Sequence, residues 1–236
     1  MRKVLALSLV LPTMVACESV DSEAVMTSGV YADIVIQTQG EGSSDVATIL
    51  RVGGPTSNTY LDLMGEDTLT ATVGEETLEL EKQSLGDYRE YTAGFDVDAE
   101  DTLFDVSFTR AVDAGAPSST VTMPAPFALT GPEEGAQFVV QADDITVTYE
   151  PASTDDQIRW TIEGDCIYSE GETVTGDPGS FVIPADLIEV MDEEDASCSA
   201  ELKVIRARAG SLDAGYGEGG EIEARQVRSV EINVSM

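Results

Sequence analysis

The sequence predicts an all-β chain folded as two tandem β-sandwiches. Short segments alternate apolar with polar residues, the pattern of strands that bury one face. Clusters of Gly, Asp and Ser separate them at the spacing of sandwich turns. Residues 113–119 then shift to small residues and proline, which marks a boundary between two units. Apolar residues make up 42% of the chain, so disorder is disfavoured.

In chain order, residues 18–27 are polar and acidic without periodicity. They read as a tether reaching at most ~35 Å at about 3.4 Å per residue. Strands are predicted over Val30 to Gln37, Val46 to Val52, Thr59 to Met64, Thr68 to Val73, Thr77 to Lys82, Tyr88 to Phe95 and Leu103 to Arg110. These segments are rich in Val, Ile, Thr and Tyr. Gly74-Glu75-Glu76 turns the hairpin that follows Thr68–Val73. The first sandwich spans residues 28–113, a linker 114–126 and the second sandwich 127–236. Pro124 and Pro126 make Met123 to Phe127 an extended lead-in, because each fixes φ and lacks an amide donor. In the second unit, Ile145-Thr-Val147-Thr-Tyr149-Glu-Pro151 alternates cleanly, and Ile158-Arg-Trp160-Thr-Ile162 points the only tryptophan inward. Leu202-Lys-Val204 and Ile222 to Val234 supply the last two long strands. Phe181 to Pro184 reads as a strand end and Ala185 to Met191 as one helical turn.

The N-terminus carries an export pattern: Arg2 and Lys3, an apolar run from Val4 to Leu11, then Met14-Val15-Ala16-Cys17. The run is shorter than the ~20 residues a spanning helix needs. Met14-Val15-Ala16-Cys17 resembles the lipobox of bacterial lipoproteins, with Met14 where leucine is usual. The resemblance covers the first 17 residues. It implies cleavage of residues 1–16, a diacylglycerol on Cys17 and a lipid-anchored place in the bacterial cell envelope, with the outer membrane the expected destination. Cleavage removes two bases and no acid, taking the net charge from −33 to −35. That charge repels nucleic acid and anionic headgroups. It reads either as solubility in a salty medium, where counter-ions screen over ~8 Å, or as a cation-loaded surface.

With Cys17 assigned to lipid, Cys166 and Cys198 remain as an even pair in an oxidising compartment. Two thiols without histidine make a poor zinc site, so a disulfide is expected, closing a loop that contributes roughly 3–4 kcal/mol in the chain-entropy account. The Ile145–Pro151 pattern resembles the second strand of fibronectin type III and related immunoglobulin-like sandwiches, with Tyr149 where tryptophan is usual. In that topology the third and sixth strands are neighbours, which implies that Cys166 and Cys198 share a sheet edge.

The chain contains no histidine. This eliminates Ser-His-Asp and Cys-His nucleophiles, histidine bases and histidine-bearing metal sites. Paired carboxylates could serve a glycosidase, but 45 acids guarantee accidental pairs, and 6% aromatics give little to line a sugar cleft. Asp96, Asp98, Glu100 and Asp101 alternate oxygens as a calcium loop does, yet Asp101 stands at the glycine position and Ser107 at that of the bidentate glutamate. A solvated turn is the competing reading, as it is for Asp192-Glu193-Glu194-Asp195. Gly215 to Gly220 imitates a phosphate loop, but strands flank it and Glu218 would repel the anion, so it reads as a flexible hairpin connection.

The basic residues are unevenly placed. Arg51, Lys82, Arg89 and Arg110 lie in the first unit; Arg159, Lys203, Arg206, Arg208, Arg225 and Arg228 all fall on three strands of one sheet. Arg159 faces outward by alternation, and Lys203 and Arg225 join it if the strands keep phase. Arg206 and Arg208 share parity with inward Leu202 and Val204, so a bulge near Ile205 or a sheet end is needed to turn them out. The six read either as cross-strand partners of Glu163, Glu201, Glu223 and Glu231, or as a cationic stripe that orients an acidic protein or a sugar acid. The expected function is a membrane-anchored, non-catalytic binding, adhesion or envelope structural module with no cofactor, whose partner is a protein or glycan and not nucleic acid. A carboxylate-dependent carbohydrate-active enzyme or its accessory domain, and a calcium-stabilised surface spacer, are the alternatives.

Overall fold

A computed structural model describes residues 18–152, 154–191 and 197–235. Cys17, the segment before it and the run Asp192–Asp195 lie outside the described residues. The first lobe contains β1 (Glu18–Asp21), β2 (Val30–Thr38), β3 (Ser44–Val52), β4 (Thr59–Asp62), β5 (Thr68–Val73), β6 (Glu76–Glu79), β7 (Glu81–Leu85), β8 (Tyr88–Phe95), β9 (Leu103–Thr109) and β10 (Ala116–Thr122). The second contains β11 (Ala128–Gly131), β12 (Gln137–Val139), β13 (Ile145–Glu150), β14 (Gln157–Gly164), β15 (Ile167–Val174), β16 (Ser180–Ile183), β17 (Ser197–Ala209) and β18 (Gly220–Ser235). Ala185–Leu187 is a single 3-10 turn.

One 11-stranded sheet runs through the molecule in the order β1-β4-β3-β2-β18-β17-β14-β15, with β7, β8 and β12 alongside. A 4-stranded sheet (β10-β9-β5-β6) closes the first lobe and a 3-stranded sheet (β11-β13-β16) the second. Each lobe is thus a sandwich around its own core. Ile34, Leu50, Phe104, Phe108 and Ile222 sit in one, and Ile145, Trp160, Leu202 and Ile232 in the other. The alternation that marked the strands is the alternation of burial: β2 reads buried at every second residue from Val30 to Thr38.

The two sandwiches are not separated by a linker at residues 114–126. Ala116–Thr122 is β10, paired antiparallel with β9, and Met123 and Ala125 are buried. β10 lies at the edge of its sheet, where Pro117 costs no ladder bond, and its register shifts between Ala116 and Ser119. Residues 18–27 are not a free tether either. β1 pairs parallel with β4, and Ser22 and Thr27 are buried. Arg110 holds this segment: Nε donates to Asp67 at 2.7 Å, while Nη2 donates to the Ser22 and Val25 carbonyls at 2.7 and 3.0 Å.

The last hairpin joins the lobes. β17 and β18 pair in unbroken register from Ser197↔Ser235 to Ala209↔Glu223. The start of β18 adds in parallel to β2, and its end adds in parallel to β12. Gly220, with φ 141°, admits the chain beside β2, where a Cβ would stand 1.9 Å from the Ala32 carbonyl oxygen. The glycine-rich connection before it is a hairpin turn, as expected, but a pinned one. Tyr216 is buried and stacks on Phe108 at 6.2 Å.

β14 lies beside β17 with Trp160↔Val204 and Ile162↔Leu202 in register. Cys166 and Cys198 form a disulfide at that edge, with Cα atoms 5.8 Å apart. Replacing both cysteines by serine should lower stability by about 3–4 kcal/mol. Denaturant titration of the variant checks this, and a change below about 1 kcal/mol would show that the loop is held by the sheet alone.

Candidate functional site

The inward face of the β17–β18 hairpin is apolar at both ends and polar in the middle. Ala200, Leu202 and Val204 on β17, with Val230, Ile232 and Val234 on β18, enter the second core. Ile222 and Ala224 enter the first. Between them the inward positions are Arg206, Arg208, Gln226 and Arg228, with Arg206 directly opposite Gln226. This quartet lies where the lobes meet.

Arg206 is fully buried. No bulge turns it outward and it does not lie at a sheet end; the register of β17 with both neighbours is continuous through Ile205. Its charge is met in place instead. Nη2 donates to Asp177 at 3.0 Å and to the Pro151 carbonyl at 2.6 Å, and Nη1 donates to the Ala125 carbonyl at 3.0 Å. The guanidinium carbon lies 5.0 Å from the Phe127 ring centre and 5.8 Å from that of Tyr149. Asp177 also accepts from the Tyr149 hydroxyl and from both the amide and hydroxyl of Thr154. Burial pushes the Asp177 carboxyl up, but the donors from Thr154 and Tyr149 and the Arg206 charge outweigh it, so the net shift is downward. Burial and the Asp177 hydrogen bond together push the Tyr149 phenol up to about 12.

Arg208 bridges the lobes. It donates to Asp156 of the second at 2.6 Å, and to Asp101 at 2.7 Å and the Met123 carbonyl at 3.2 Å of the first. Gln226 donates to the Asp98 and Pro124 carbonyls. The acidic turn at Asp96, Asp98, Glu100 and Asp101 is therefore partly a contact surface between lobes. Its carboxylates do not converge, and among the described residues no group of three or more Asp, Glu, Cys or His side chains could hold a metal ion. The Asp98 side chain accepts from the Gly42 amide rather than turning toward Asp101.

On the outward face, Arg159 and Arg225 both pair with Glu223, the first at 2.5 Å. Lys203 pairs with Glu163 at 2.5 Å and with Glu201 at 2.9 Å. These three cations are each paired, Arg159 and Lys203 across strands and Arg225 within β18, rather than left as an open stripe. The six basic positions thus divide into three outward and paired, and three inward at the seam. The seam had a sequence signal: an interrupted inward parity at 206 and 208, mirrored at 226 and 228.

No protein-family model matches the chain, and no curated protein matches it. Among solved structures it is similar to a cytokine receptor complex, with 12% identity over 84% of this chain and 94% of that chain and a TM-score of 0.28. Clostridium thermocellum CbhA fibronectin(III)-like modules match at 14% identity over 87% and 90% of the two chains, TM-score 0.25. Bacteroides ovatus SGBP-B in complex with a mixed-linkage heptasaccharide matches at 9% identity over 87% and 60%, TM-score 0.23. At such scores these similarities carry no argument about site or ligand. The fold is all-β, two sandwiches that share one large sheet.

Arg206→Leu leaves Asp177 buried without its cation and should cost about 3–5 kcal/mol, read as a fall in the denaturation midpoint. Arg159→Gln and Arg225→Gln, at pairs that keep partial access to solvent, should each cost about 1 kcal/mol or less. Because the Asp177 carboxyl is depressed in the fold, the stability it contributes is complete above its unfolded value of about 3.9. It is lost as pH falls through the lower folded value. Stability measured from about pH 5 downward should therefore fall less steeply in Asp177→Asn than in the parent chain.

Proposed function

We propose that the chain is an exported lipoprotein of the bacterial cell envelope, held to a membrane by acylated Cys17, and that its two lobes act as one non-catalytic binding or architectural module. The observation that carries this reading is Met14-Val15-Ala16-Cys17 behind a cationic and apolar leader. The absence of histidine from the sequence supports the non-catalytic part. So does the way the charged groups of the seam are spent on internal contacts.

The seam gives the reading its mechanical content. Two lobes sharing a 16-residue strand and a polar junction present their surfaces in a fixed relation, which suits a spacer or a receptor more than a hinged enzyme. One acyl chain binds a membrane marginally and two hold it durably, so diacylglycerol on Cys17 suffices for anchorage. A protein or glycan partner fits the reading; the net charge of −33 disfavours nucleic acid.

Mass spectrometry of the chain taken from membranes should find Cys17 as the first residue, carrying a diacylglycerol, and Cys17→Ser should shift the protein to the soluble fraction. An intact, unmodified N-terminus would sink the anchorage. Affinity capture from an envelope extract, with and without calcium, tests the binding half; calcium-dependent melting in place of capture would favour the spacer.

A further inference from the structure

β18 has strand neighbours on its β2 side in two separate stretches. Register with β2 ends at Gln226↔Thr38, and register with β12 begins at Asn233↔Gln137. Glu231 is engaged from the β12 side: its carbonyl accepts from Gly135 at 2.8 Å and its amide donates to Glu134 at 3.3 Å. Val227 to Val230 remain as a window in the sheet, about 13 Å long at ~3.3 Å per residue. A cleft of about 510 Å³ opens there, lined by Gln37, Gln39, Glu41, Lys203, Val227 and Arg228 among others. That volume lies within the ~300–1,000 Å³ of small-ligand sites.

Arg228 is the feature that gives the cleft a chemistry. Among the described residues, the seven other arginines each have a carboxylate within 4.0 Å, in a chain with a large excess of acids. Arg228 has none. Its guanidinium is nevertheless held in place. It lies 5.2 Å from the Phe127 ring centre, donates to the Val227 carbonyl at 2.7 Å and donates to Gln226 Oε1 at 3.0 Å. It also packs on Gly40, whose φ of 87° and missing Cβ make the room; a Cβ there would stand 2.3 Å from Nη2. Two hydrogen bonds leave most of the five guanidinium donors free. Burial lowers the pKa of Arg228, with Asp98 opposing and Arg206 adding to that effect.

We propose that this cleft binds a small carboxylate-bearing carbohydrate, its carboxylate seated on Arg228 and its hydroxyls on the Gln37 and Gln39 amides. An extended peptide is a poorer fit, because β2 and the Gly135–Glu231 contact close the window at both ends. Lys203 and Glu201 are already paired with each other, and Glu201 also takes the Ser229 hydroxyl. Exposed Glu41 stands in the lining and opposes the ligand charge. The proposal rests on the binding-module reading above and names a ligand class for one site within it.

Calorimetric titration of the full chain in mild detergent with digalacturonic acid tests it, with the dimethyl ester and an Asp-Asp dipeptide as comparison probes. The acid should bind, the ester about tenfold more weakly, and Arg228→Gln should lose about tenfold in affinity. Glu41→Gln, at an exposed position, should tighten binding severalfold, a change of opposite sign that still decides the matter if Arg228→Gln fails to fold. No saturable binding below about 10 mM, equal affinity for the ester, or tighter binding of the dipeptide would overturn the assignment. None of these outcomes touches the anchorage at Cys17, so the two readings fail separately.

Discussion

A guanidinium with no access to water ties the segment between the lobes to the core of the second. Arg206 reaches backward to the Ala125 carbonyl of the segment that leaves the first lobe, sideways to the Pro151 carbonyl, and forward to Asp177. Burying a charge is costly unless it is paired and its donors are met. Here one carboxylate and backbone carbonyls meet the two terminal nitrogens of Arg206, while Nε is left buried without a partner among the described residues. Those carbonyls belong to extended proline-bearing segments with few ladder bonds of their own. Arg110 repeats the device in the first lobe, pairing with Asp67 and capturing the Ser22 and Val25 carbonyls. In both places an arginine supplies the donors that irregular backbone needs once it is packed against a sandwich.

The strands were legible because alternation is local. Each stripe of Val, Ile and Thr states which face it buries, and the inward tryptophan follows from it. The neighbouring of β14 and β17 was implied by the resemblance to fibronectin type III sandwiches, and the disulfide by the even pair of cysteines left after Cys17. What was not legible was non-local. Nothing around Ile222 or Ala224 announces that they complete a core begun at Val30, because parallel pairing between distant segments leaves no local mark. The boundary at residues 114–126 was misread for a related reason: an edge strand tolerates the proline and small residues that also compose linkers. Parity correctly placed Arg206 and Arg208 on the inward face. The expectation that they must escape it was the error, since a partner carboxylate at Asp177 is invisible in the pattern.

The acidic excess acquires a structural sense from the pairing. Outward cations on β14, β17 and β18 are matched by Glu163, Glu201 and Glu223, so the remaining acids lie over a body whose basic groups are already occupied. Arg228 departs from that economy of charge. It lies at the place where the large sheet is interrupted, held by an aromatic ring and a left-handed glycine.

The shared strand also dictates an order of events. Ala32 on β2 finds its partner at Gly220, 188 residues later in the chain. A nascent polypeptide therefore carries β2 with one edge open until β18 has emerged. Such distant closure slows folding and leaves a sticky strand exposed meanwhile. The front half is therefore exposed to aggregation until β18 is in place.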